Sequence, residues 1–424
     1  ADALYSTVER VAPLAALVIE KTGGNPFFTD EFLRMLYTDR QLYFNPDKGI
    51  WEWNLERIRS ANMTDNVVEL MSSRIQKLSE SSRNLLQLAS CIGLIFDLRT
   101  LAEVAGFALG DTASRLREAM SQGLIVPIGD GYRLVELEIP IQSQEVRIEY
   151  KFTHDRIQQA AYDLIEKSTR KQVRHKVGRS LLEMHRGARR DDFIFAIVNH
   201  LNSSTDFIEQ ESERQELMQL NLTAARRAKV SAAYHTALDY LHAGIALHKE
   251  SDWVAIYDLM LDLHREAAEV AFLSKSYERM DDHIETVVHR ARTLIEKIPA
   301  YETRVHAAVA RNDMQEAIVL GRDILHRLGV HLPDNPGWLR IGASLLWTHL
   351  QLRRRSTEGL LNLPESRDPL HLARMHFLYA MAQALFYFFP RQVPLITCQL
   401  LRQTMRHGNT STSALSYTTY GMLM

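Results

Sequence analysis

The sequence predicts a mainly α-helical protein built in three stretches: a helical bundle carrying a small hairpin, a winged-helix domain, and a TPR-like α-solenoid. Three observations predict it. Apolar residues recur three to four positions apart along most of the 424 residues. Alternating aromatic and β-branched stretches are brief, and Gly, Pro, Asn and Asp clusters bound them. The second half repeats a helix-hairpin theme.

In the first stretch, Val8 to Glu20 reads as an amphipathic helix, and Asn25 to Asp39 as the next. Between them lies Lys21-Thr-Gly-Gly-Asn-Pro-Phe-Phe-Thr-Asp-Glu-Phe-Leu33. Two glycines permit a sharp turn, Asn25 suits an N-cap, and Pro26 suits the first helical position, where a missing N–H costs nothing. The turn is open to two readings: a well-capped loop-to-helix junction, or exposed backbone and a rigid proline facing a ligand. Leu42-Tyr-Phe44 and Trp51-Glu-Trp53 flank Asn45-Pro-Asp-Lys-Gly49 and predict a hairpin, its tryptophans packing on its face. Thr64 is placed to cap a helix carrying Val67, Val68, Leu70, Met71 and Ile75.

From Leu78 the rhythm changes. Ser79 caps a helix to Ile92, Asp97 opens one ending at Gly106, and Asp111 begins a third that stops at Gly123. Strands are expected at Leu124 to Ile128 and Tyr132 to Val135 around a Gly-Asp-Gly turn, and again at Arg147 to Phe152. Three helices followed by a hairpin is winged-helix order. The third helix sets Arg115 and Arg117 against Asp111 and Glu118, so it lacks the net basic face of a DNA reader. At His154-Asp155, strand gives way to a helix with Ile157, Ala160, Ala161 and Leu164 on one face. An imidazole there either caps and packs, or adds a donor to an anion at the helix N-terminus.

The remainder is helical. Leu220 to Lys229 pairs with a helix from Ala233, Leu259 to Phe272 with one from Ser276, and Glu302 to Ala310 with one from Asp313. Tyr234, Tyr277 and Met314 hold equivalent places, with Ala237, Met280 and Ala317 three residues on. The spacings of 43 and 37 exceed the strict tetratricopeptide period of about 34. Such hairpins stack to bury their second face and present a protein-binding or self-packing surface. A loop at Pro333 to Gly337, helices from Trp338 to Arg355 and Pro369 to Phe389, and a polar connection from Arg402 to Ser413 complete the chain.

Composition limits the function. Hydrophobic residues make up 46% and charged residues 24%, ordinary for a globular protein. A formal net charge of −2 gives no global electrostatic case for nucleic acid or an acidic membrane. Cys91 and Cys398 stand in apolar contexts without partners at metal spacing, as buried thiols of a reducing, cytoplasmic compartment would. The thirteen-residue apolar run from Phe377 to Phe389 is too short for a membrane span. His242 and His248, and His283 and His289, fall six apart and do not align on one helix face, so no metal site is expected. No catalytic constellation stands out. Starting at Ala1 and stopping at Met424 without a terminating pattern, the chain reads as a piece of a longer protein.

Two short motifs carry a resemblance. Thr22-Gly-Gly-Asn-Pro-Phe-Phe before an acidic helix resembles the Gly-x-Pro element in the lid of STAND-type signalling ATPases. Phe152-Thr-His-Asp, followed by Ala160-Ala-Tyr, resembles the winged-helix signature of the same class. Trp51 to Ile58, Thr64 to Leu70 and Arg406 to Tyr417 resemble the central part of large bacterial signalling proteins. Those carry serine/threonine kinase, ATPase, GAF and histidine kinase domains. The resemblance implies a lid at residues 1–77, a winged helix at 78–166 and a helical-repeat region at 167–424. It implies that Gly24 and Pro26 approach the adenine of ATP or ADP, and that His154 senses the diphosphate. No Gly-x-x-x-x-Gly-Lys-Ser/Thr and no Walker B pattern is present, so an upstream P-loop domain would hold the nucleotide and this chain would not hydrolyse it unaided. The implied partners are that domain and downstream sensor and kinase domains of the same protein, with a further protein on the solenoid and no nucleic acid. A transcription regulator of the same ATPase superclass and a protein-binding scaffold without nucleotide function are the alternatives.

Overall fold

The computed structural model describes residues 4, 6–60, 67–133, 147–185, 190–333, 336–388 and 390–423. The chain is mainly helical and divides into two compact units, Ala1–Ile208 and Glu209–Met424. The boundaries expected at 77/78 and 166/167 both fall within the first unit.

The first unit opens with α1 (Val8–Thr22) and α2 (Pro26–Thr38), followed by the antiparallel hairpin of β1 (Leu42–Asn45) and β2 (Ile50–Trp53). Trp51 packs against Tyr37 and Phe44, with ring centroids 5.8 and 5.7 Å apart, and Arg10 lies over Trp53. The tryptophans are therefore packing residues, as expected. Two short helices, α3 (Leu55–Ser60) and α4 (Val67–Gln76), precede α5 (Glu80–Ile92). The cap expected at Thr64 lies outside the described residues.

Helix α5 starts at Ser79, whose hydroxyl accepts the Ser82 N–H; Asp97 likewise caps α6 (Leu98–Ala105), accepting from Arg99 and Thr100. Helix α7 (Leu109–Ser121) is tied back to α5 through Glu118, which accepts the Ser79 N–H at 3.1 Å. Arg115 lies over the Phe107 ring at 4.4 Å. An antiparallel sheet of order β3-β5-β4 joins Ile95–Asp97, Glu149–Phe152 and Ile125–Ile128. Strand β3 was not expected: three residues are too few to show an alternating pattern. The strand expected at Tyr132 to Val135 is corrected, because Tyr132 and Arg133 lie in a helical turn; 134 and 135 are outside the described residues. After β5 come α8 (Asp155–Asp163), α9 (Lys167–Met184) and α10 (Arg190–Asn202). One continuous core runs from Leu14 and Phe32 through Met71, Leu86 and Phe96 to Phe152 and Ile157.

The second unit is a succession of helical hairpins: α11 (Glu211–Val230) with α12 (Tyr234–Ala246), α14 (Tyr257–Leu273) with α15 (Tyr277–Arg290), and α16 (Leu294–Ala310) with α17 (Met314–Arg327), α13 being the short Asp252–Ala255. At the three hairpin turns Ala232, Lys275 and Asn312 adopt positive φ. They recur at the spacings of 43 and 37 read from the sequence, so the repeat is a backbone fact. Ala237, Met280 and Ala317, the positions matched across it, are all fully buried. Small residues bring helices close: a Cβ at Gly244 would stand 3.2 Å from Asn221 and 3.3 Å from Leu263. Beyond the repeats lie α18 (Trp338–Arg353), α19 (Thr357–Leu361), α20 (Pro369–Phe388), α21 (Val393–His407) and α22 (Ser413–Leu423). The polar connection expected from Arg402 is corrected: α21 runs on to His407, because Leu401, Thr404 and Met405 bury one face, and Gly408 at φ +104 ends it.

Candidate functional site

Gly24, Pro26 and His154 belong to the first unit. Helix α1 stops at Gly23 (φ +61), whose N–H bonds the Ile19 carbonyl at 2.8 Å, and Gly24 follows at φ +73. A Cβ at either glycine would meet nothing within 4 Å, so the left-handed backbone, and not crowding, calls for glycine. Asn25 accepts the Phe28 N–H at 3.0 Å as N-cap, and Pro26 is the first residue of α2. The turn is braced beneath by Thr22, which donates to Val18 O at 2.7 Å and meets the Thr29 hydroxyl at 3.0 Å. Gly23 to Pro26 are themselves exposed. Arg74 adds a further tie, pairing with the buried Glu31 of α2 and donating to Gln122 O at 2.6 Å.

His154 sits at the C-terminal end of β5, the central strand of the sheet, and caps α8. Thr153 fixes its approach, donating from N–H to Leu124 O at 3.1 Å and from its hydroxyl to Gly123 O at 2.8 Å. Nδ1 of His154 accepts the Arg156 N–H at 3.1 Å, while Asp155 Oδ1 lies 2.5 Å from the same nitrogen. Keeping the cap puts the proton of a neutral ring on Nε2. Full protonation satisfies Asp155 and also leaves a proton on Nε2. Nε2 carries a proton whenever the ring caps through Nδ1, whereas a neutral ring that gives its Nδ1 proton to Asp155 has Nε2 as an acceptor.

The structure brings the two motifs together. Phe27, next after Pro26, stacks flat on the His154 ring, with centroids 3.9 Å apart and planes 11° apart. Beside the start of α8 lies a cleft of about 330 Å³ lined by Ser90, Cys91, Asp155, Arg156, Gln158 and Arg174 among others, which includes neither Pro26 nor His154. Burial pushes the Cys91 thiol up to about 11, so it is not a nucleophile near neutral pH.

The second unit holds a cluster that helical spacing alone did not reveal. His264 Nδ1 lies 3.2 Å from His283 Nδ1, and His283 Nε2 lies 3.3 Å from His242 Nε2. Trp253 stacks on His264 at 5.5 Å. Burial, reinforced by the neighbouring imidazoles, lowers His264 to about 3 and His283 to about 4. The three come from α12, α14 and α15, so their meeting depends on the hairpin stacking. Among the described residues, no group of three or more His, Cys, Asp or Glu side chains could hold a metal ion.

The chain is a distant relative of segments of histidine kinase signalling proteins, which sets it in a signalling-kinase context. Hybrid signal transduction histidine kinase G of Dictyostelium discoideum is 27% identical over 378 aligned positions, covering 78% of this chain and 11% of that protein. Peroxide stress-activated histidine kinase mak3 of Schizosaccharomyces pombe is 22% identical over 307 positions, covering 70% of this chain and 12% of that protein. The chain thus spans about a tenth of the length of these relatives. Both are eukaryotic, and the bacterial setting implied by the resemblance finds no support in them. No known domain family matches the sequence, and no solved structure matches the chain. Among the described residues no helix is long and apolar enough to cross a membrane.

Proposed function

We propose that this chain is the regulatory, signal-transmitting segment of a multidomain signalling kinase. In this reading ATP or ADP is held mainly by a P-loop domain outside the sequence, and the turn at Gly24 and Pro26 closes over it together with His154. The observation that carries the reading is the stack of Phe27 on His154, which sets the Gly-Gly-Asn-Pro turn beside the imidazole across more than a hundred residues of sequence. Each part has chemistry suited to the role. Exposed glycine backbone allows close approach, Pro26 offers a rigid apolar face, and His154 at a helix N-terminus suits an anionic phosphate when it caps through Nδ1 and keeps its proton on Nε2. Helices α5 to α7 with the three-stranded sheet act as a winged helix that packs against protein, a role supported by the cation–π contact that engages Arg115. The hairpins of the second unit serve as the relay and as the surface for a protein partner.

A switch requires contacts that differ between two nucleotide states. The test is made in the full-length parent protein with Pro26→Ala and His154→Ala, measuring nucleotide affinity and exchange rate. His154→Ala is expected to raise ADP exchange at least several-fold, as loss of a charge-assisted hydrogen bond would. Affinity and exchange unchanged in both variants would overturn the clamp.

A further inference from the structure

From Pro336 to the last residue the sequence carries nine arginines, no lysine and three carboxylates, a net charge of +6. With −2 over the whole chain, the preceding 335 residues carry −8. Positive charge is thus concentrated in the terminal helices, where it coincides with an uncovered apolar face. Helix α18 packs through Ile341, Leu345, Thr348 and Leu352, the two leucines lying against the Cys398 and Leu401 cluster of α21. On its far side Leu339, Leu346 and Leu350 form one stripe at helical spacing, flanked by Trp338 and Trp347. These five side chains are from 47% (Leu350) to 92% (Leu339) exposed. Where α18 ends, Arg354, Arg355, Arg402 and Arg406 line a cleft of about 560 Å³ between it and α21, with glutamines and a methionine but no carboxylate. Arg391 lies over Trp338, 5.6 Å from its ring.

We infer that this face of the second unit docks on an anionic phospholipid membrane surface, with the α18 leucines and tryptophans at the acyl boundary and the arginine cleft on lipid phosphates. Interfacial helices are apolar on one side and arginine-rich at the flanks, with tryptophan at the headgroup level. Guanidinium groups grip phosphate oxygens in a bidentate fashion. Charge decides among the occupants. A second copy docking through this same face would bring like charge against like, and a nucleic acid has no use for a leucine stripe, whereas an anionic bilayer satisfies both features at once.

The test is co-sedimentation of the full 424-residue chain with vesicles of phosphatidylcholine alone and of phosphatidylcholine with phosphatidylserine. The chain is expected to pellet with the anionic vesicles only and to be released by added salt. Arg354→Gln/Arg355→Gln/Arg406→Gln is expected to weaken vesicle binding about 100-fold. Leu346→Gln/Leu350→Gln is expected to weaken it by at least about tenfold. All five positions are exposed, and unchanged thermal unfolding of both variants establishes that the fold is intact. No pelleting at low salt, equal pelleting with neutral vesicles, or variants that bind like the parent would each overturn the inference. So would a salt-sensitive complex with an oligonucleotide or an acidic helical peptide where vesicles fail, or a dimer that the leucine variant disperses.

Discussion

Lowering the pH from 7 to 5 is expected to cost the second unit about 4 kcal/mol of stability through His264 and His283. Both are neutral in the folded chain, lowered to about 3 and about 4 from the ordinary 6.5 by burial first and by neighbouring positive groups second. Those neighbours are His283, His248 and Arg290 around His264, and His242 and Arg279 around His283, where Asp282 acts in the opposite sense. On unfolding each imidazole regains its ordinary affinity for a proton. Between pH 6.5 and about 4 the unfolded chain therefore binds more protons than the folded one, and stability falls as pH falls. At pH 5 each histidine contributes about 2 kcal/mol to that loss. Urea unfolding followed by far-ultraviolet circular dichroism at pH 7 and pH 5 measures it. Replacing one group, His264→Leu, should reduce the pH-dependent loss to about 2 kcal/mol whatever it does to stability at pH 7. The reasoning fails if the parent loses less than about 1 kcal/mol, or if parent and variant show the same dependence.

Three further outcomes follow from other contacts. Arg214 grips Asp252 through two bonds of 2.7 Å, with side chains only 9% and 1% exposed, and also holds Glu211 and the Leu247 carbonyl, so Asp252→Ala removes its buried carboxylate partner without stranding the guanidinium and should cost about 1–3 kcal/mol in urea unfolding. A Cβ at Gly178 would stand 2.7 Å from Leu201 Cδ2, so Gly178→Ala should lower stability by about 1–3 kcal/mol, read as a lower melting temperature of the first unit. Cys91 and Cys398 are both buried and free, and a thiol reagent at pH 8 should label the native chain slowly and both sites rapidly in urea.

Local chemistry was legible wherever one residue determines one structural feature. Asn25, Ser79 and Asp97 were read as caps, and each accepts the backbone N–H that a cap must satisfy. The repeat was legible because hairpin stacking demands a small or buried residue at matched places, as at Ala237 and Ala317. Strand β3 was missed because it gains its ladder from β5, which lies more than fifty residues away, and not from its own pattern. The polar run after Arg402 looked like a loop because Thr404 is uncharged and polar, although its hydroxyl is satisfied inside the helix by Leu400 O at 3.0 Å. The resemblance implied that Gly24, Pro26 and His154 face one nucleotide, but the Phe27–His154 stack itself was not foreseen, since no spacing rule joins residues so far apart. The histidine cluster failed a test of pairs on one helix because its members stand on three. Net charge misled in another way: a total near zero conceals a chain whose end opposes the rest.

The position of β5 limits how a signal could start in the first unit. A strand bonded along both edges, to β3 and to β4, cannot slide without breaking two ladders together. His154, at its tip, is accordingly a stationary post. The Gly23-Gly24 turn has open space where a Cβ would stand, but Thr22 and the Asn25 cap brace it from beneath. In the proposed clamp, opening would therefore have to part the Phe27–His154 stack.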